Sequence, residues 1–329
     1  MRLVLIAIFA GSMLMAAGRA GEPAADGTQS VVVPAEPPAT PTTPSVLVPP
    51  AAEAPTSPPP GLATDLLGAG LEPLAERPGG GGEQRPYDRP LPLLEALDRS
   101  GDRARRLWVT QAYWKVSTAF AAVRFAREAI ERLELVAPGG DPHDRATLDV
   151  ATAAARADLA DARAQLGAAQ QELVDLARLP VTEPLPWPVD RPLATPYQTH
   201  FEAVFATRPA TGRVRAIART LPARHEALEA RAAAVRAAEQ ALSMAEADHA
   251  KAHRPIEAVI QAHAALVGQQ REFLQAVKAY NLDIAEYAMA AADLAVPDER
   301  FAAMLIGAPI QWRQPPAAPA PNPAAPATP

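Results

Sequence analysis

Cysteine is absent from the 329-residue chain. Disulfides, thiolate nucleophiles and cysteine-ligated metal ions are therefore excluded. Aromatic residues make up only 5% of the sequence, which argues against a β-sandwich, a parallel α/β sheet or a nucleotide-binding fold. Basic residues are not in excess, because the formal net charge is −6. A nucleic-acid partner is not expected, since it would favour a basic surface.

Proline is abundant, with 37 residues, but its distribution is uneven. It concentrates in 21–90, 180–196 and 309–329. Proline inside a helix removes a hydrogen bond and clashes with the preceding turn, so long proline-free stretches favour uninterrupted helices. Four long helices are predicted from the proline-free stretches 93–137, 143–179, 223–254 and 256–296.

The first residues have the three regions of a secretory signal peptide. A basic start, Met1-Arg2, is followed by an apolar run from Leu3 to Ala17 and by the small-residue site Gly18-Arg19-Ala20. The alternative is an uncleaved membrane anchor, but the run is shorter than the roughly 20 residues that a spanning helix needs. We therefore expect an exported protein, located in the periplasm or associated with the outer membrane.

Apolar residues recur in steps of three and four along each proline-free stretch, which is the spacing of a coiled-coil seam. Short turns between neighbouring stretches favour antiparallel hairpins. The first pair has the seams Val109, Ala112, Val116, Ala119, Val123, Ala126, Ile130 and Leu133, and Leu148, Thr152, Ala155, Leu159, Ala162, Leu166, Ala169, Leu173 and Leu176. The second pair has Leu221, Leu228, Val235 and Leu242, then Ile256, Val259, His263, Leu266, Gln270, Phe273, Val277, Tyr280, Ile284 and Tyr287.

The predicted fold class is all-α, with two long antiparallel coiled-coil helical hairpins that repeat one unit between disordered Pro/Ala-rich termini. The Pro/Ala/Gly-rich segments cannot bury enough apolar surface to order, although Leu62 to Glu72 is a weak candidate for a short helix. The predicted boundaries are 1–20 (signal peptide), 21–90 (disordered linker), 93–179 (first hairpin), 180–222 (Pro-rich connector with short helices), 223–306 (second hairpin and a C-terminal short helix) and 307–329 (disordered tail).

Several short motifs in the helical body resemble those of the TolC-type outer membrane efflux proteins, over roughly 93–294. Ala112-Tyr113-Trp114-Lys115-Val116 is similar to that family's Ala-Tyr-aromatic opening, and Leu148 to Ala153, with Asp149 and Val150, is similar to the start of its returning helix. In the second half, Glu257 to Ala262, with Val259, resembles the equivalent start. The closing helix is matched by Phe273 to Tyr287, which contains Tyr280, Asn281 and Tyr287.

The resemblance implies a helical-hairpin duct of the cell envelope, a homo-oligomer that is a trimer if it follows the family, and contacts with a periplasmic adaptor or an inner-membrane transporter. No stretch before 102, or between 180 and 222, has the alternating apolar and polar character of a membrane strand, so the family's β-barrel strands are expected to be missing. The alternative is a periplasmic structural or scaffold protein without transport activity.

Few residues suggest chemistry, and neither an enzyme nor a cofactor is predicted. His249 and His253 have the i, i+4 spacing of a metal pair, but the sequence favours two polar residues near a solvated turn, and no metal site is predicted. His263 and Gln270 interrupt an apolar seam. They are interpreted as packed, hydrogen-bonded residues or, alternatively, as residues that face a water-filled lumen. The aromatics Tyr113, Trp114, Tyr280 and Tyr287 suggest a binding cluster or, alternatively, packing between helices.

Overall fold

The computed structural model describes residues 61–72, 89–138, 141–251, 253–292 and 296–307. These residues are mostly helical. The predicted signal peptide, most of the predicted linker and most of the predicted C-terminal tail lie outside the described residues. The short helix predicted from Leu62 is present as α1, Leu62–Leu71.

The first long pair consists of α3 (Arg106–Leu135) and α4 (Pro142–Leu176). Helix α4 begins at two residues that favour a helix start. The Asp141 carboxylate caps it by accepting a hydrogen bond from the His143 N–H at 2.9 Å, and Pro142 occupies the first helical position. The Arg156–Glu134 ion pair, at 2.9 Å, joins the first half of α4 to the last turns of α3. The two helices therefore run in opposite directions.

The second long pair consists of α6 (Gly212–Ala250) and α7 (Ile256–Ala291). Arg213 is paired with Glu286 at 2.8 Å and Arg231 with Glu272 at 2.7 Å, so an early residue of α6 faces a late residue of α7. The two helices are antiparallel, as α3 and α4 are. Each pair buries one line of predicted seam residues against its partner.

Helix α6 corrects one predicted boundary. The sequence placed the connector at 180–222 and started the helix at 223, because Pro222 was expected to break it. In the structure α6 begins at Gly212, with Thr211 as its cap, and continues through Pro222. Burial of Val214, Ile217 and Leu221 on the added turns offsets the missing hydrogen bond of the proline.

The four long helices divide into two inner and two outer ones. Helices α3 and α7 pack against each other as well as against their own partners, and each of them buries residues on more than one face. Helices α4 and α6 bury mainly one line of residues and leave the opposite face exposed. The core therefore lies along the contact between α3 and α7.

Both inter-helix turns lie at the same end of the molecule, which we call the tip end. His249, near the end of α6, has its Nε2 3.3 Å from the carbonyl oxygen of Ala137, which follows α3. His143 at the start of α4 lies 3.3 Å from the carboxylate of Glu257 at the start of α7. The two hairpins therefore stand side by side with their tips together.

The opposite end holds a pair of short strands that the all-α prediction did not include. Strand β1 (Arg89–Leu91) pairs in parallel with β2 (Pro186–Pro188), with Pro90 opposite Trp187. Prolines restrict these strands to three residues each because they cannot donate ladder hydrogen bonds. Helices α2 (Leu93–Ser100) and α5 (Phe201–Val204) complete this end.

The predicted C-terminal short helix is α8 (Asp298–Ile306), which ends at Gly307 with a φ of 68°. Arg106, at the start of α3, holds it in place although its side chain is only 2% exposed. The guanidinium donates a hydrogen bond to the Val296 carbonyl at 2.9 Å, pairs with Asp298 and lies over the ring of Phe301. A buried arginine needs such partners to offset its lost hydration.

None of the described helices is long and apolar enough to cross a membrane.

Candidate functional site

Three side chains of the closing-helix motif bind the backbone of the connector between the two hairpins. The Asn281 amide lies against Leu193: its oxygen accepts from the Leu193 N–H at 2.8 Å and its NH₂ donates to the Leu193 carbonyl at 2.8 Å. The same NH₂ also donates to the Val277 carbonyl at 2.9 Å. One buried amide thus satisfies both polar groups of a connector residue that has no sheet partner.

The two tyrosines of α7 continue this pattern along the chain. The Tyr280 hydroxyl donates to the Thr195 carbonyl and accepts from the Tyr197 N–H, both at 2.9 Å. The Tyr287 hydroxyl donates to the Thr199 carbonyl. The bonded connector residues alternate, as they do along an extended strand, so α7 replaces a neighbouring strand for this segment.

Tyr113 on α3 organises the beginning of the connector. Its hydroxyl donates to the Leu91 carbonyl at 2.7 Å and accepts from the Asp190 N–H at 3.1 Å. The Asp190 carboxylate in turn accepts from the Leu93 N–H at 2.7 Å and so closes the N-terminus of α2, which has no cap of its own. We call Tyr113, Tyr280, Asn281 and Tyr287 the connector clamp, and the end of the molecule that contains it the clamp end.

Burial raises the pKa of each clamp tyrosine. For Tyr280 the pKa rises to about 12. The pKa of Tyr113 rises further because the negative charge of Asp190 adds to the effect of burial, and the pKa of Tyr287 also lies above its usual value. The hydroxyls therefore stay neutral at physiological pH and act as hydrogen-bond donors and acceptors.

The four predicted aromatics are packed inside the protein. Tyr113, Trp114, Tyr280 and Tyr287 are each at most 1% exposed. The ring of Trp114 meets that of Tyr113 edge to face at 5.1 Å, and its Nε1 has no hydrogen-bond partner among the described residues. Their positions favour the packing interpretation over an open binding cluster.

The other motif residues lie away from the clamp. Asp149 and Val150 are exposed on α4, and Val150 is 71% exposed. Glu257 lies in the first turn of α7 next to His143, and Val259 is fully buried two residues further on. These four residues are all nearer the tip end, so the structure does not bring the motif set together at one site.

His263 and Gln270 are both 7% exposed and lie on α7. The His263 Nε2 lies 3.0 Å from the Ala129 carbonyl of α3, the geometry of an N–H donor. Burial lowers the pKa of His263, and the nearby positive charge of Arg132 adds to this effect. His263 thus belongs to the contact between the inner helices, and the burial of both side chains within one chain favours the packing interpretation.

The histidine pair near the second tip shows no metal geometry. Both ring nitrogens of His249 face backbone carbonyls, of Arg254 at 3.0 Å and Ala137 at 3.3 Å, while His253 is exposed. Within the described ranges no three His, Asp or Glu side chains form a group able to hold a metal ion.

One cavity, lined by Ser117, Phe120 and Trp187, has a volume of about 160 Å³, below the roughly 300 Å³ of a site for a drug-sized ligand.

The outer helices carry a feature that the sequence reading missed. The outward face of each follows steps of three and four and contains no charged residue. On α6 this face, called the α6 face, consists of Ala216, Thr220, Ala223, Ala227, Ala230, Ala234, Ala237, Ala241 and Met244. On α4 the corresponding α4 face consists of Val150, Ala153, Ala157, Ala160, Ala164, Gly167 and Gln171.

Nearly all residues of the two faces are exposed, and Ala234 and Gly167 are half-buried. The signal was present in the sequence, because arginine and glutamate occur throughout α6 yet avoid these nine positions. It was overlooked because alanine is also the best helix former and needs no partner to be favoured.

Comparisons with protein-family models, with curated proteins and with solved structures found no match to this chain.

Proposed function

We propose that this chain is a TolC-like component of an export assembly in the cell envelope, in which copies stand side by side and their long hairpins line a passive duct. The observation that carries the proposal is the pair of uncharged, exposed faces on the two outer helices. The repeated buried seams support the view that the body is one antiparallel coiled-coil hairpin present twice.

The composition of the α6 face supports close approach of another helix. Its side chains are almost all alanine, and no charge would have to be desolvated when a partner helix covers them. The face runs from Ala216 to Met244, which corresponds to about 43 Å of helix. A contact along this face buries the surface area of a typical protein–protein interface only when the partner is also a long helix.

The placement of the faces indicates how copies would associate. The α4 face and the α6 face are different surfaces on the two outer helices. Association of one with the other is heterologous, and such contacts repeat around a ring when the rotation closes. The resemblance to the efflux family makes a trimer the expected ring, with an adaptor protein or an inner-membrane transporter at the tips.

The charges beside the faces agree with this pairing at the clamp end. From Gly212 to Arg231, α6 carries five arginines and two glutamates. From Ala160 to Leu176, α4 carries three acidic residues and one arginine. Both segments lie towards the clamp end, so copies at equal height bring opposite net charges together.

A second candidate is a structural protein of the envelope without transport activity. The burial of His263 and Gln270 within one chain favours it, because these are the polar side chains that a water-filled lumen would have displayed. The connector clamp is compatible with either candidate, since both need the connector to be fixed against α7.

Dye accumulation separates the two candidates. A strain that lacks this chain is loaded with a fluorescent apolar dye, and its retention is compared with that of the parent and of a complemented strain. Export predicts higher retention that complementation reverses, together with detergent-dependent extraction of the protein from envelope fractions. Unchanged retention, with the protein recovered in the soluble periplasmic fraction, would contradict export and favour the structural candidate.

A further inference from the structure

Helix α1 is held in a groove between α3 and α6 by contacts at both of its ends. At its start, the Ala63 N–H donates to the Glu229 carboxylate of α6 at 3.3 Å. At its end, Arg124 of α3 donates to the Glu72 carbonyl at 2.7 Å. An acid at the N-terminus and a base at the C-terminus match the helix dipole, so the groove is built to receive a short helix.

The middle of the groove selects for a small residue. A Cβ added to Gly70 would lie 3.1 Å from the ring of Phe125 and 3.3 Å from the Cβ of Ala121. A small side chain at position 70 would therefore require the groove to yield by a few tenths of an ångström, whereas a bulky one would clash. The groove recognises the sequence of α1 as well as its helical form.

The buried surface of α1 is small. Its fully buried residues are Ala63, Leu67 and Gly70, of which only Leu67 has a sizeable side chain, and Leu66 and Leu71 pack against the core half-buried. Segments with few buried apolar contacts open at low cost in free energy. Helix α1 is thus expected to leave and re-enter its groove far more readily than the long helices separate.

The contacts of α1 do not depend on which chain supplies it. A single segment, 73–88, joins α1 to β1, and it includes Gly79 to Gly82. Sixteen residues span up to about 55 Å when extended, about twice the roughly 20–24 Å width of two adjacent helices. A copy packed alongside lies within that reach.

We propose that α1 is an exchangeable arm and that the groove between α3 and α6 also binds α1 of a second copy. This inference rests on the proposed function in one respect: side-by-side packing raises the local concentration of the second arm until it competes with the first. An exchanged arm would link neighbouring subunits without any new surface.

The absence of native cysteine permits a direct test with the full chain. The variants Gly70→Cys and Ala121→Cys are purified separately, one of them with a size tag, then mixed and oxidised. Disulfides need a Cβ separation of about 3.5–4.5 Å, which the docked arm nearly provides. The double variant G70C/A121C serves as the control for the docked geometry, and G70C mixed with Gly268→Cys serves as the control for random collision, because Gly268 has open space around it.

The expected result is a mixed disulfide dimer about tenfold more abundant than in the G268C mixture. No excess over that mixture, while the double variant cross-links within one chain, would overturn exchange. Failure of the double variant to cross-link would overturn the docked geometry on which exchange depends. Light scattering on the same samples separates the two proposals, because an oligomer without mixed disulfides contradicts only the exchange, whereas a monomer contradicts both.

Discussion

At the scale of single residues, four of the side chains that the family resemblance singled out, Tyr113, Tyr280, Asn281 and Tyr287, hold the connector. Asn281 and Tyr280 satisfy backbone groups of Leu193, Thr195 and Tyr197, and these bonds place a proline-rich segment against α7 without a sheet. Backbone polar groups that lose such partners in a buried place cost stability. The clamp therefore explains why side chains with polar end groups occur within an otherwise apolar stretch of α7.

Replacing Asn281 by leucine is expected to destabilise the protein strongly. The substitution keeps the side-chain size but leaves the N–H and carbonyl of Leu193 without their bonds, at about 2–4 kcal/mol for the two groups. The change in free energy of unfolding is measured by urea denaturation followed by circular dichroism. Gln261→Leu, at an exposed position of the same helix, is the control and should change stability little. Equal effects of the two variants would contradict the role of the clamp.

His263 makes stability depend on pH. Burial lowers its pKa in the folded state below the usual value near 6.5, so the unfolded chain binds the proton more readily. The contribution of His263 is therefore complete above pH 6.5 and is lost as the pH falls through the lower folded-state pKa. His263→Gln should flatten unfolding free energy against pH in this window. His143→Gln removes a histidine that is 70% exposed and should leave the dependence intact; equal curves for H263Q and the parent would refute this assignment.

At the scale of elements, α6 shows a local preference overruled by tertiary packing. Pro222 lies exposed in its interior, where it removes a hydrogen bond and disfavours the preceding turn. The helix persists because its first turns bury Val214, Ile217 and Leu221 against the rest of the molecule. Pro222 thus lowers the stability of α6 without ending it.

Replacing Pro222 by alanine should stabilise the protein by about 1–3 kcal/mol, because it restores a backbone donor and removes the ring without disturbing the core. The midpoint of thermal unfolding measures the effect. Ala223→Gly tests the same turn in the opposite sense and should lower the midpoint. A lower midpoint for P222A would show that the proline is required for the path of the helix.

The long helices could be predicted from the sequence because heptad spacing and proline-free length act locally. Seam residues such as Val116, Leu166, Leu228 and Val277 are buried as their spacing requires. The start of α6, the strand pair and the connector clamp could not be predicted in this way. They depend on contacts between residues about 80–100 positions apart, such as Asp190 with Leu93 and Asn281 with Leu193, which no local pattern encodes.

At the scale of the whole molecule, the outer helices present two uncharged faces that nothing within the described chain covers fully. The two paired hairpins lie side by side with their tips together, and the faces run along the outer helices. Self-association would cover alanine surface and place the tips of all copies at one end. The proposed function therefore rests on these two faces.

The double variant Ala230→Glu with Ala237→Glu should abolish self-association, because it places two charges in the middle of the α6 face, where a partner helix would desolvate them. Helicity should persist, since both positions are exposed. Ala247→Glu, on α6 but off the face, is the matched control. Analytical ultracentrifugation compares the three proteins, and an undiminished oligomer in A230E/A237E would exclude the α6 face as the interface.

The molar mass of the purified chain as a function of concentration shows whether copies associate side by side. Light scattering coupled to size-exclusion chromatography gives this mass independently of molecular shape. The account predicts a mass that rises with concentration to a fixed small multiple of 34.6 kDa, less any cleaved signal peptide. A single-chain mass that persists up to the highest soluble concentration would contradict side-by-side association, and with it the proposed duct.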